Sequence, residues 1–143
     1  MLTHPHAVPG LGDGGAHVSI ISDASFPTTL LAHWGRDRRR GDLLDVAWLV
    51  SRHTSATAAT VGLLDRGLLV PGYKGDVNVI DFDNLAAHRP RIVGDLPAGG
   101  KRVMQSADGY VHTFVSGVEV YASGEATEEL PGRLVRGAQP APE

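Results

Sequence analysis

The chain has 143 residues, 42% of them hydrophobic and 20% charged, which is the length and composition of a globular domain and excludes a disordered tract. A net charge of −3 gives no general attraction to nucleic acid or to an anionic membrane, and no apolar run is long enough to span one. Cysteine is absent, which excludes a disulfide scaffold and a thiolate zinc site; with no secretory leader after Met1, the cytoplasm is the expected location.

Residues 1–24 read as a loop containing one short apolar piece, Val18 to Ile21. Pro27, after Ser25 and Phe26, suits a helix start, and Leu30, Leu31 and Trp34 then fall at helical spacing before Gly35. Asp42 reads as the N-cap of a second helix over 43–52, with Leu43, Leu44, Ala47, Trp48 and Val50 on its apolar face. A further helical piece covers 55–63 and ends before Gly67. After Pro71-Gly72 the pattern becomes that of strands. Residues 77–82 form one; 101–105 and 110–115 flank Asp108-Gly109, a hairpin signal; and 118–121 follows a tight turn at Ser116-Gly117. Residues 75–124 therefore read as a small antiparallel meander, and the tail after Gly137 as frayed. A helical first half followed by a β second half, with few long amphipathic helices to cover a sheet, is an unusual complete domain.

Several residue groups could carry chemistry. The string GLGDGGAH (10–17) contains the bare G-x-G-x-x-G spacing at Gly10, Gly12 and Gly15. No useful strand precedes it, no clear helix follows, and Asp13 would repel a pyrophosphate. His4-Pro5-His6 could present two ligands on one side of a strand, but the proline and the lead-in favour a solvated loop. Arg36, Arg38, Arg39 and Arg40 near Trp34 suggest nucleic-acid contact or, more plainly, a solvated helix end. Asp13 is different. Flanking glycines permit positive φ and close approach of a ligand, and a carboxylate there can bind a divalent metal or exchange a proton with water. On spacing alone an ordinary Asp-Gly turn is the commoner outcome.

The longer strings THPHAVPGLGDGGAHVSIISDASFPTTLLAHWGRDR (3–38), PGYKGDVNVIDFDNL (71–85) and VHTFVSGVEVYASGEATEELPGRLVRG (111–137) resemble the C-terminal part of the amidohydrolase superfamily, in its D-aminoacylase (N-acyl-D-amino-acid deacylase) branch. The resemblance implies an α/β fragment: the last strand and helices of a metal-dependent (β/α)8 barrel followed by part of a small antiparallel β-sandwich. Residues 1–68 would be barrel strand 8 and its helices, 69–137 the closing sandwich strands, and 138–143 a disordered tail. It implies that Asp13 is the acid at the end of strand 8, touching zinc and acting as general base, and that His17 has a positioning role beside it. The implied substrate is an N-acyl-D-amino acid.

The family's H-x-H of the first strand, its bridging ligand and the histidines of strands 5 and 6 have no counterpart here. His4 and His6 lie just upstream of Asp13 and do not replace them. Glu128-Glu129 stands where the family usually carries a Gly-Ala type pair. The expectation is therefore a chain that retains no zinc and no activity alone, since hydrolysis needs at least three metal ligands and an open water position. The alternative is a non-catalytic module, or a split-enzyme subunit completed by a complementing barrel fragment. Helices meant to cover a barrel would expose Leu30, Leu31, Trp34 and Trp48 and promote self-association.

Overall fold

Pro27 sits in the first turn of helix α1 (Phe26–Ala32), where its missing N–H costs nothing. The computed structural model describes residues 1–10, 12–15, 17–21 and 24–143. After α1 the chain continues through one π-helical turn, His33–Asp37, into α2 (Val46–His53) and α3 (Ser55–Thr60). The strands follow: β1 (Val77–Ile80), β2 (Ala86–Ala87), β3 (Arg91–Val93), β4 (Arg102–Met104), β5 (Ala107–Asp108), β6 (Tyr110–Val115), β7 (Val118–Ala122) and β8 (Glu125–Ala126). The main sheet is antiparallel in the order β1-β6-β7-β8, and β2-β5 and β3-β4 form separate two-stranded pairs.

The helical expectations need two corrections. The cap of α2 is Asp45, not Asp42: its carboxylate accepts the Trp48 N–H at 2.7 Å. The Leu44 N–H is committed to the Trp34 carbonyl at 2.9 Å, which keeps 42–44 out of the helix. The third helix ends at Thr60 rather than 63. Gly62 (φ 75°) closes it, with the Leu63 and Gly62 N–H groups bonded back to the Ala58 and Ala59 carbonyls.

Among the strands, the Ser116-Gly117 turn forms as expected. Both residues have positive φ (52° and 80°), the geometry that matches strand twist in a two-residue hairpin. The hairpin expected at Asp108-Gly109 does not form. β4 pairs with β3, and β6 pairs with β1 and β7. Gly109 is needed for a different reason: at φ 92°, a Cβ there would lie 2.7 Å from Leu85 Cα and 2.9 Å from the Asp81 carbonyl oxygen.

Residues 1–24 read as a loop, and the implied barrel strand would end at Asp13; among the described residues 1–10, 12–15 and 17–21 no strand is formed, and 17–20 form turns. A strand needs neighbours to take its backbone groups. Among the described residues the Val18 carbonyl accepts one main-chain hydrogen bond, from the Val103 N–H at 2.7 Å. Of the fold-class expectation, the structure shows the antiparallel β part. The tail 138–143, expected to be disordered, is tied at Gln139, which bridges to Leu63 and exchanges hydrogen bonds with Gly62 and Leu64.

The core joins both halves. Leu49 and Leu85 are fully buried; Leu30, Leu31 and Ala32 join them, and Ile80, Phe82 and Tyr110 of the β half pack against the cluster. Leu30 and Leu31 are therefore not exposed as expected. Trp34 and Trp48 are half-buried against the same core, because the residues after β1 fold back beneath the helices. The Thr28 hydroxyl, itself buried, meets the Tyr110 hydroxyl at 2.9 Å and ties α1 to β6.

Candidate functional site

Asp13 lies in an open loop with its carboxylate exposed, between Gly12 and Gly14. Gly15 has φ 93°, and among the described residues nothing lies within 4 Å of where a Cβ would stand. His17 is also exposed and adopts φ 45°; its carbonyl accepts the Ile20 N–H at 2.8 Å and the Ile21 N–H at 3.2 Å. The turn that follows presents His17 outward. Among the described residues no hydrogen bond joins it to Asp13.

His4 and His6 form a local pair. The His6 N–H donates to His4 Nδ1 at 3.2 Å, and the rings lie 5.6 Å apart in a turn closed by His4 N–H to the Met1 carbonyl. That bond occupies one His4 nitrogen and holds the pair off any strand. Among the described residues no group of three or more His, Cys, Asp or Glu side chains converges to hold a metal ion. The donor set therefore does not fit zinc by itself, since one exposed carboxylate falls short of the three protein ligands of a catalytic site.

The arginine run divides on inspection. Arg36 reaches into the β half, donating to the carbonyls of Phe82, Asp83 (2.9 Å) and Leu85 (2.7 Å) while its Nε bonds Asp37 at 2.7 Å. That carboxylate holds the Arg36 guanidinium above its ordinary pKa, and Asp37 is lowered in return. Arg38 lies over the Trp34 ring at 4.5 Å and donates to the Asp42 carbonyl at 3.0 Å. Arg39 and Arg40 are exposed. Two of the four cations are thus committed within the fold, which leaves little of a basic face.

Sequence reasoning missed three histidine environments. His112 Nδ1 lies 2.5 Å from Glu119 Oε1, and His88 Nε2 lies 2.7 Å from Asp108 Oδ2. The first was within reach of the hairpin register. Glu119 pairs with Phe114, which shares a strand face with His112 two residues away. His53 packs edge-on to Phe26 at 5.4 Å, and burial pushes its pKa below the usual imidazole value. None of these lies in a metal-binding constellation among the described residues. No described helix is long and apolar enough to cross a membrane.

Comparison with known proteins places this geometry in context. No curated protein matches the chain. Among solved structures it is similar to the one described as "Crystal structure of D-aminoacylase defines a novel subset of amidohydrolases", with 27% sequence identity and a TM-score of 0.54. The match covers 72% of this chain and 19% of that one, so the chain spans about a fifth of that protein's length. The sequence profile of the Amidohydrolase family matches residues 1–121, including the glycine-flanked Asp13, and the chain belongs to the amidohydrolase family.

Proposed function

We propose that this chain is the C-terminal portion of a zinc-dependent hydrolase that cleaves the amide bond of N-acyl-D-amino acids, and that Asp13 is its contribution to the reaction. The observation that carries this reading is the 27% identity to D-aminoacylase over 72% of the chain. The exposed, glycine-flanked carboxylate supports it. In amide hydrolysis water adds to the carbonyl carbon, the C–N bond breaks, and a carboxylic acid and an amine are released. The Asp13 carboxylate takes the proton from the attacking water and returns it to the leaving nitrogen. His17, four residues on, positions the loop that carries this carboxylate. The metal ligands come from a complementing barrel fragment, because this chain's described residues do not supply them. The cytoplasm is its proposed location.

A second reading is a non-catalytic module that folds by itself; the core shared by Leu30, Leu31, Leu49 and Leu85 favours it. Mixing separates the two. The chain is combined with a polypeptide carrying the remaining barrel strands, and hydrolysis of N-acetyl-D-amino acids is followed. Activity is expected on mixing, with a loss of about 100- to 10,000-fold for Asp13→Asn and about 10- to 100-fold for His17→Ala. Activity on mixing that is indifferent to Asp13→Asn refutes its role, and no activity at all supports the module.

A further inference from the structure

Residues 128–136 read EELPGRLVR and lie beyond the family-matched span, 1–121. Charge and hydropathy mirror in part about Gly132: Glu128 stands opposite Arg136 and Leu130 opposite Leu134, while Glu129 stands opposite Val135 and Pro131 opposite Arg133. We propose that this segment is the surface through which two copies of the chain associate about a two-fold axis. Antiparallel apposition centred on Gly132 sets Glu128 against the partner's Arg136 and Leu130 against the partner's Leu134, and the second half of the interface repeats the first. A two-fold contact requires one patch complementary to itself, and this segment has that property.

The fold leaves these groups available. Leu130 is 92% exposed and Leu134 76%. Glu128, Glu129, Arg133 and Arg136 are exposed, and among the described residues none of them enters an ion pair. The segment belongs to no helix or strand, and among the described residues the backbone of 129–135 makes no main-chain hydrogen bond. The first half of the segment, 128–132, including the acids Glu128 and Glu129, forms with Val115, Val120 and Tyr121 a largely apolar groove of about 430 Å³. In the pair, this groove takes the partner's Leu134 and Val135. Donor and recipient surfaces thus lie side by side on each copy.

The segment offers fewer residues than the ~20–30 a side of a standard stable interface, so the dimer is weak and concentration-dependent. Sedimentation equilibrium of the full chain tests this over protein concentrations from about 5 to about 500 μM, a range suited to micromolar association. The mass is expected to rise from 15.1 kDa toward twice that value. Glu128→Lys and Arg136→Glu should each weaken association by about tenfold or more, and the double variant should restore it because the pair is then reversed. Circular dichroism verifies that each variant keeps its fold. A 15.1 kDa monomer across the whole range overturns the proposal and assigns the groove to another partner. Association that ignores both charge reversals overturns it equally, by moving the contact elsewhere.

Discussion

Arg36 illustrates what a single side chain does in this chain. The planar guanidinium reaches three carbonyls of the 82–85 turn and still bonds Asp37, so it fixes the π-helical turn after α1 against the loop that follows β1. A lysine presents one compact charge and cannot serve several acceptors in a fork. Arg36→Ala is expected to lower the thermal midpoint, and Arg36→Lys to recover little of the loss; a full recovery by lysine would show that charge alone matters. This residue was not distinguishable in the sequence, where four arginines share one short run. Only the tertiary position of the 82–85 carbonyls separates Arg36 from Arg39 and Arg40. Asp13, by contrast, is singled out by the resemblance of 3–38 to the family, since on spacing alone an ordinary Asp-Gly turn is the commoner outcome.

Elements were legible where the determining interaction is local. The turn at Ser116-Gly117 needs two residues at positive φ and has them. The same logic misassigned Asp108-Gly109. Gly109 does require positive φ, but to let the backbone pass close to Leu85 and Asp81, and turn chemistry carries no information about which distant strand is the partner. The α2 cap is a similar case. Asp42 and Asp45 are both plausible caps by sequence, and the long-range bond from Leu44 to Trp34 decides between them. Asp45→Ala should therefore cost about 1 kcal/mol in chemical denaturation, whereas Asp42→Ala should stay within about 0.5 kcal/mol of the parent. Equal effects at the two positions would contradict the observed helix start.

At the scale of the whole molecule, the boundary expected near residue 68 is crossed by the core. Leu30, Leu31 and Leu49 from the helices bury against Leu85 and Tyr110 from the β half, and Gln139 returns to the segment after α3. The resemblance anticipated the family and the antiparallel β part. It did not anticipate this packing, because a pattern shared with a protein several times longer carries the contacts of that longer fold. Among the described residues no group of three or more potential metal donors includes Asp13. The account's central claim is that Asp13 is one ligand of a site this chain does not complete. Its most direct test is zinc content and N-acetyl-D-amino-acid hydrolysis of the purified chain alone, after equilibrium dialysis against zinc. The account predicts no stoichiometric metal and no turnover above background, and one tightly held zinc per chain together with robust turnover would contradict it.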